Sequence, residues 1–340
     1  MQNTDGMLEY ENTYFKNGNV KTQYFAGNYN NSFAITADLN FTNTYDKSNR
    51  LLKSTTNVST KSYETENTYD KDGNMLTLKR FGSTGSYLDN FTYSYYSGTN
   101  KLQRVTGSTA QYTYDANGNM TRDDINNNRD VKYDHRNLIT QILHKETVIE
   151  DSIIYLTFYN YDEAGNRYAK TVFKYTAQGE PKDIPDQKDI INSEDWRLEY
   201  YEIYSRDISG RELGIYRNEE VIEYPLYRLD MIGKLESDVA YYYHKDHLGS
   251  IRAVVNSSNE LESAQDYDPW GYLLSGRAYQ SSESKFKFTE KERDEESFYD
   301  YFGARYYDSR IANWTSVDPL MEKHFNFAVV GVPKVCVKTF

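Results

Sequence analysis

The 340-residue sequence is poor in several residue types, and each shortage excludes a class of protein. It has a single cysteine, Cys336, which excludes an internal disulfide framework. No apolar run approaches the roughly 20 residues that span a bilayer, so we expect no transmembrane segment. Lysine and arginine number 39 against 51 acidic residues, which gives a formal net charge of −12. Because an acidic surface repels phosphate backbones, we expect no nucleic-acid partner.

Aliphatic residues are also scarce, and tyrosine takes their place. Only 38% of the residues are hydrophobic, yet 35 of the 340 are tyrosine. Soluble domains usually contain about 45–50% apolar residues. Tyrosine is enriched in β-strands, where its ring packs and its hydroxyl keeps a polar partner. This composition favours many strands over helices.

A short motif recurs along the first half of the chain. Residues 114–120 read YDANGNM, and residues 14–20, 69–75 and 161–167 read YFKNGNV, YDKDGNM and YDEAGNR. Alternating aromatic and polar residues lead into the motif, as in a strand with one buried face. Asn-Gly or Asp-Gly predicts a tight type I′ hairpin turn, and the earlier aspartate can accept hydrogen bonds from its amides. Each unit is therefore a predicted hairpin, and stacked hairpins would form one continuous sheet.

Other interpretations of these residues stay open. Residues 70–74 have the acidic character of a calcium loop but lack its further oxygen ligand and closing glutamate. His244 and His247 flank Asp246, yet no cluster of further ligands accompanies them, so we expect no metal and no cofactor. Exposed tyrosine stripes could stack on sugars, which would make the chain a surface carbohydrate-binding or adhesion module.

Five more motifs follow in the last third of the chain. Residues 242–252, 267–271, 287–294, 301–308 and 314–319 read YYHKDHLGSIR, YDPWG, KFTEKERD, YFGARYYD and WTSVDP. With the Tyr-Asp repeats, these motifs resemble the RHS/YD-repeat family and its C-terminal RHS-repeat-associated core domain. The resemblance covers roughly residues 10–320 and is strongest to versions from Bacteroidota-type bacteria.

The resemblance implies a fold and a role. The fold is all-β, with stacked β-hairpin repeats that form a twisted strip or partial spiral shell, like the family's cocoon. The role is structural and not enzymatic: family members are secreted or surface-bound, and enclose and deliver a C-terminal toxin in interbacterial competition. The implied partners are the remainder of the shell and its toxin cargo, with an immunity protein or secretion machinery. A mean hydropathy of −0.85 agrees with a wall that is wet on both faces.

The chain divides into five predicted segments. These are YD-type repeats in 1–180, a polar exposed loop in 181–195, a further β-repeat in 196–240, the core domain in 241–320 and a variable tail in 321–340. The start lacks the basic and apolar regions of a signal peptide, and the tail is too short for a toxin domain. We therefore expect a fragment without its toxin, with a truncated or frameshifted tail.

The resemblance assigns its motif residues a structural role in the turns and in the core domain. They are Tyr69, Asp70, Gly73, Asn74, Tyr114, Asp115, Gly118, Asn119, Tyr161, Asp162, Gly165, Asn166, His247, Gly249, Asp268, Pro269, Gly271, Gly303, Arg305, Tyr306, Asp308, Asp318 and Pro319.

Self-cleavage is the remaining alternative. Self-cleaving members of the family use aspartates to cut after an Asp-Pro-x-Gly-Leu type motif, and residues 318–322 here read DPLME, without the glycine. Asp308 and Asp318 are the candidates for a carboxyl pair that shares a proton in an autoproteolytic processing domain. We favour a turn-forming role for the Asp-Pro pair and expect no catalytic residue.

Overall fold

The fold is all-β, as the sequence predicts. The structure is a computed structural model and describes residues 8–29, 33–58, 60–148, 151–280 and 284–320. Within these ranges it has 27 β-strands, short 3₁₀ segments at Ile190–Asn192 and Phe288–Glu290, and no α-helix. Predictions about residues 321–340 fall outside the described residues.

Two antiparallel meanders, each in chain order, contain most of the strands. The first sheet has seven strands: β1 (Leu8–Tyr14), β2 (Val20–Tyr29), β3 (Phe33–Tyr45), β4 (Leu51–Thr56), β5 (Thr65–Tyr69), β6 (Met75–Phe81) and β7 (Tyr87–Thr92). A two-stranded sheet follows, made of β8 (Ser94–Tyr95) and β9 (Leu102–Arg104).

The second meander has 14 strands: β10 (Tyr112–Tyr114), β11 (Met120–Asp123), β12 (Asn128–Tyr133), β13 (Ile139–Val148), β14 (Asp151–Tyr161), β15 (Arg167–Tyr175), β16 (Trp196–Arg206), β17 (Glu212–Arg217), β18 (Glu220–Tyr227), β19 (Met231–Glu236), β20 (Val239–Lys245), β21 (Ile251–Asn256), β22 (Leu261–Tyr267) and β23 (Leu273–Tyr279). The last four strands form a small separate sheet: β24 (Glu292–Arg293), β25 (Asp300–Tyr301), β26 (Tyr306–Asp308) and β27 (Asn313–Trp314). We call β1–β23 the strip.

The recurring turn is a hairpin turn, but the predicted type I′ is wrong. The Gly118 amide donates to the Asp115 carbonyl at 3.2 Å, and the Asp115 amide donates to the Asn119 carbonyl at 2.9 Å. A type I′ turn needs positive φ at both central residues, whereas Asn117 has none and Gly118 alone has φ +88°. This is a longer loop that ends in a bulged glycine. The Asp115 side chain favours it, because its Oδ1 accepts from the Asn119 amide at 2.9 Å.

The same aspartate geometry repeats along the strip and explains why the motif recurs. In the equivalent turns the carboxylate Oδ1 accepts the backbone amide four residues later at 2.8–3.0 Å, beginning at Asp46, Asp70, Asp134, Asp162, Asp207, Asp246 and Asp268. Asn49 and Asn137 replace the glycine in two of these turns, with φ +62° and +63°. Asparagine tolerates this left-handed conformation better than other side chains.

The strip curls until its last strands meet its first. Phe25 of β2 packs with Ala253 and Val255 of β21. Phe41 of β3 packs with Leu274 of β23. The predicted partial spiral is therefore observed, closed by hydrophobic contacts between strands that are more than 200 residues apart in sequence.

Residues 284–320, which we call the C-terminal block, pack against one face of the strip. We call this the inner face. Ile311 enters the cluster of Leu78 and Leu102, and Phe286 packs with Ile215 of β17. Tyr299, Tyr301 and Tyr306 pack with inner-face residues of β12–β14, namely Val131, Ile139 and Tyr159. The block thus contacts distant parts of the strip at once.

The polar segment 181–195 contains no strand and is mostly exposed, but two of its residues are anchored. Ile184 and the buried Ile190 pack with Phe158, Phe173 and Trp196. This cluster lies on the outer face, which is the strip face opposite the C-terminal block.

Candidate functional site

The most chemically unusual region is the seam between the strip and the C-terminal block, where charged groups are buried. Arg80 of β6 is 2% exposed, and its Nε lies 2.5 Å from Asp268 Oδ2 in the turn between β22 and β23. Its Nη2 donates to the Ser309 carbonyl of the block at 2.8 Å. Burial disfavours the charge, but Asp268 and Asp89 hold the pKa of Arg80 above its ordinary value. Arg80 therefore ties three separate segments together.

A second group of buried charges centres on β15 and β16. Arg167 Nη1 donates to Asp294 at 3.0 Å, and its Nη2 forms an ion pair with Glu292 at 2.6 Å. Lys170 lies 3.3 Å from Glu296 and 3.5 Å from Glu202. The three carboxylates at 292, 294 and 296 belong to the C-terminal block, whereas the cations belong to the strip. The seam is therefore held by oppositely charged partners.

Lys285 and Tyr204 complete this group. Lys285 Nζ lies 2.8 Å from Glu202 and 2.9 Å from Glu292, and the Tyr204 hydroxyl lies 2.7 and 2.8 Å from the same two carboxylates. Burial alone would raise the pKa of Glu292, but Arg167 and Lys285 hold it below its ordinary value. Both carboxylates are therefore ionised and paired in the folded chain.

The third feature of the seam is a carboxyl pair without a cation. Asp123 of β11 and Asp308 of β26 are fully buried, at 0% and 1% exposure, and share a hydrogen bond. The Asn126 amide donates to Oδ2 of both, at 2.8 and 2.7 Å, and the Tyr299 hydroxyl donates to Asp123 at 2.9 Å. Burial raises the pKa of both residues, and Asp123 raises that of Asp308 further. A hydrogen bond between two carboxyl groups needs a proton on one of them, and the raised pKa values favour one shared proton in the folded chain.

This pair is not the one that the sequence offered for self-cleavage. Asp308 shares its proton with Asp123, whereas Asp318 keeps its carboxylate 45% exposed and accepts from Arg305 at 2.8 Å. A hydrolytic pair needs a water and a peptide bond against its oxygens. Here the oxygens receive Asn126, Tyr299 and backbone amides. The arrangement suits a structural, proton-holding contact between strip and block.

The predicted motif residues lie in turns and on the seam. In three turns the motif asparagine donates to the motif aspartate: Asn74 to Asp70, Asn119 to Asp115 and Asn166 to Asp162, at 2.8–3.0 Å. The glycines at 73, 118, 165, 249, 271 and 303 all have positive φ. Asp268 and Tyr306 are buried, with Pro269 in the turn that Asp268 opens; Pro319 follows Asp318 after β27.

The motif tyrosines connect successive hairpins. The Tyr69 hydroxyl donates to the Leu51 carbonyl at 2.8 Å, and the Tyr161 hydroxyl to the Ile139 carbonyl at 2.7 Å. Tyr114 likewise bonds the backbone of Leu102. Each acceptor belongs to the return strand of the preceding hairpin. His247, which the sequence placed in the core domain, contacts β1, because its Nδ1 lies 2.6 Å from the Tyr10 hydroxyl.

The sequence reasoning missed the strip's half of the seam. All five strip residues, Arg80, Asp123, Arg167, Lys170 and Glu202, lie within or at the ends of strands. Only Arg167 falls in a quoted motif, as the last residue of 161–167, and it was not singled out there. A charged residue on the tyrosine-bearing face of a strand is the only local signal, and it does not identify a partner more than 80 residues away.

The described ranges contain neither a metal-ligand cluster nor a membrane-spanning helix. There, no group of three or more His, Cys, Asp or Glu residues is placed to hold a metal ion. No helix in that part of the chain is long and apolar enough to cross a membrane.

The fold resembles solved toxin structures. TcdB2-TccC3 without its hypervariable C-terminal region superposes with a TM-score of 0.65 and 16% identity, over 93% of this chain and 16% of that one. The Photorhabdus luminescens Tc holotoxin pore with the TccC3 D651A mutation gives a TM-score of 0.65 and 15% identity, over 96% and 16%. These neighbours share the all-β architecture of this chain.

Curated relatives are much longer than this chain. The tRNA3(Ser)-specific nuclease WapA of Bacillus spizizenii is 26% identical over 252 residues, which cover 66% of this chain and 10% of WapA. The tRNA nuclease WapA of Bacillus subtilis is 25% identical over the same length. No family model matches the chain. The chain thus spans about a tenth of these relatives, and our expectation of no nucleic-acid partner stays a prediction.

Proposed function

We propose that this chain forms part of the wall of a closed β-strip shell that encloses a polypeptide toxin and delivers it in interbacterial competition. The observation that carries the proposal is the curled strip, whose strands β21–β23 pack on β1–β3 while the C-terminal block is locked to its inner face. A strip that closes on itself makes a wall, and a block fixed by buried ion pairs makes a plug. The shape agrees with the fold of the TcdB2-TccC3 neighbours.

The role proposed is structural and not enzymatic. The buried carboxylates of the seam are paired with cations and amides of the chain itself. This pairing supports a role in holding the C-terminal block against the strip. The shell's further partners would be the rest of the strip, the toxin, and an immunity protein or export machinery. The parent protein would be secreted or displayed at the cell surface, because a toxin for neighbouring cells must leave its producer.

The first test is the size and location of the native polypeptide. An antibody against residues 241–320 would be used on blots of source cells and culture medium. The proposal expects a species far larger than 39.8 kDa in the medium or at the surface. It also expects that deleting the coding region for 241–320 abolishes killing of a sensitive neighbouring strain. A species of 39.8 kDa confined to cells, with killing unchanged, would contradict the shell role.

A further inference from the structure

The outer face of the strip is covered at two places and bare between them. On β14 and β15, Phe158 and Phe173 are covered by Ile190 and Trp196. On β21, Val255 is covered by Phe25 of β2. The strands between these places, β16 to β20, carry apolar side chains on the same face with nothing over them in the described part of the chain.

These side chains form one continuous patch. Ile203 of β16, Val221 and Tyr224 of β18 and Tyr242 of β20 are 39–43% exposed. Ile203 pairs in register with Tyr216, which pairs with Val221, and the Tyr216 and Tyr224 rings meet edge to face at 6.4 Å. Tyr242 lies on the same face two strands further on, where it pairs with Gly233 of β19. We call Ile203, Tyr216, Val221, Tyr224 and Tyr242 the bare patch. Contiguous exposed apolar surface of this kind marks interaction sites.

The bare patch continues a contact that the structure already makes. Tyr242 pairs in register with Val255, which Phe25 covers. The covering strands advance in step: β3 lies on β23 through Leu274, β2 lies on β21 and β22, and β1 reaches the turn after β20 through Tyr10 and His247. A strand added beyond β1 would therefore lie over β20, and the next strands over β19 and β18.

The edge needed for such an addition is present. Among the described residues, β1 pairs with β2 alone, so its other edge offers backbone amides and carbonyls for pairing. Unpaired edges are templates for antiparallel strand addition. We propose that a further β-hairpin of a longer shell strip pairs with the free edge of β1 and covers the bare patch. This inference rests on the proposed function, because it takes the occupant from the rest of the shell.

The test compares access to the patch in two forms of the protein. Ile203→Cys and Val221→Cys would be introduced separately into the native gene and into the 340-residue chain, with Cys336 replaced by alanine throughout. Biotin-maleimide labelling rates would be measured for the native polypeptide and for the purified chain, each normalised to a denatured sample. Leu76→Cys, on β6 with a similar exposure of 38%, is the matched control.

The proposal expects labelling at positions 203 and 221 to be at least 10-fold slower in the native polypeptide than in the 340-residue chain, with position 76 unchanged. A larger native polypeptide that labels at the chain's rate would overturn the proposal and leave the shell function standing. Protection in a native 39.8 kDa polypeptide of dimeric mass would assign the patch to a second copy, and would overturn it too. A monomeric 39.8 kDa polypeptide with an accessible patch would contradict both proposals.

Discussion

A proton shared between two aspartates makes the contact of β11 with the C-terminal block sensitive to pH. Tyrosines and amides surround Asp123 and Asp308, and Tyr93, Tyr112 and Tyr299 interact electrostatically with them. The buried cation Arg293 also interacts with Asp308, but its donors bind Asp300 at 2.8 Å. Arg80 is another buried cation of the seam, but its donors bind Asp268 and backbone carbonyls. The contact between Asp123 and Asp308 is therefore favourable while the pair keeps a proton, because loss of that proton would leave two buried negative charges without a salt-bridge partner.

Replacing Asp308 by Asn should weaken that pH dependence, because Asp123 is then the only buried carboxyl group of the pair that titrates. The folded-state pKa of the pair is raised, so its stabilisation is complete below the unfolded pKa, near 4, and is lost as the pH rises through the raised pKa. One extra proton bound in the folded state makes the free energy of unfolding fall by up to about 1.4 kcal/mol per pH unit. Asp308→Asn keeps the shape but cannot titrate. The single oxygen of the new side chain can replace Oδ1 as acceptor for the Arg310 amide. Its NH2 group then stands where Oδ2 accepted from Asn126 and cannot accept, which costs about 1 kcal/mol at every pH.

Urea unfolding of both proteins between pH 5 and 9 measures this effect. The unfolding free energy of the unsubstituted protein minus that of Asp308→Asn should decrease as the pH rises, because the unsubstituted protein loses more stability. Glu223, whose pKa burial raises to about 7, adds a slope of the same sign to both proteins and cancels in the difference. A difference that is constant across this range would refute a shared proton.

The hydroxyl of each motif tyrosine forms its hydrogen bond with the preceding hairpin and not with its own hairpin. Tyr45, Tyr69, Tyr133 and Tyr161 each donate their hydroxyl to the carbonyl of the first residue of an earlier return strand, at 2.7–2.9 Å. These hydrogen bonds, which we call the tyrosine ladder, connect each hairpin to the hairpin before it.

Tyr69→Phe should lower the free energy of unfolding by about 1 kcal/mol, because the Leu51 carbonyl loses its hydroxyl donor while the ring stays in place. Guanidinium unfolding midpoints provide the measurement. Tyr87→Phe is the matched control, since Tyr87 lies on β7 with 54% of its surface exposed, and its change should stay within about 0.5 kcal/mol. Equal losses for the two variants would mean that the ladder does not stabilise the strip.

Hairpins and turns were predictable from the sequence because their causes are local. The Asp and Gly of residues 114–120 lie three positions apart, and the alternation that precedes them is read directly. The turn type was not predictable from Asn117-Gly118, since the Asp115 side chain selects the longer loop. The motifs of the C-terminal block pointed to Asp308 as a candidate but not to Asp123. The two residues are 185 positions apart, and the sequence around neither one indicates the other as its partner.

Considered as one unit, the molecule is organised by contacts between residues that are far apart in sequence. Arg80 meets Ser309, Arg167 meets Asp294, and Tyr10 meets His247. Such contacts form only after the long meander between them has paired, which predicts slow, cooperative closure of the spiral. The charges of the seam give that closure its specificity, since a misplaced block would bury ions without partners.

Arg167→Met should release the C-terminal block from the strip. The side chain is 0% exposed and is the nearest cation to both Glu292 and Asp294. Its loss leaves Glu292 with Lys285 at 2.9 Å and Asp294 with Lys170 at 3.7 Å, so the negative charge buried there is under-compensated. Breaking a buried pair in this way costs about 3–5 kcal/mol. Hydrogen exchange of residues 284–316 should accelerate by more than 100-fold, while exchange of β5 and β6 stays slow.

Two further variants test whether the release of the C-terminal block in Arg167→Met comes from the lost charge or from the lost packing. Arg129→Met removes a 49% exposed arginine that lies 3.9 Å from Asp124, and it should change stability by less than about 0.5 kcal/mol. Adding Glu292→Gln and Asp294→Asn to Arg167→Met removes the stranded charges and should restore part of the block's protection. If the triple variant exchanges as fast as Arg167→Met alone, the loss comes from packing, and the seam does not act as an electrostatic lock.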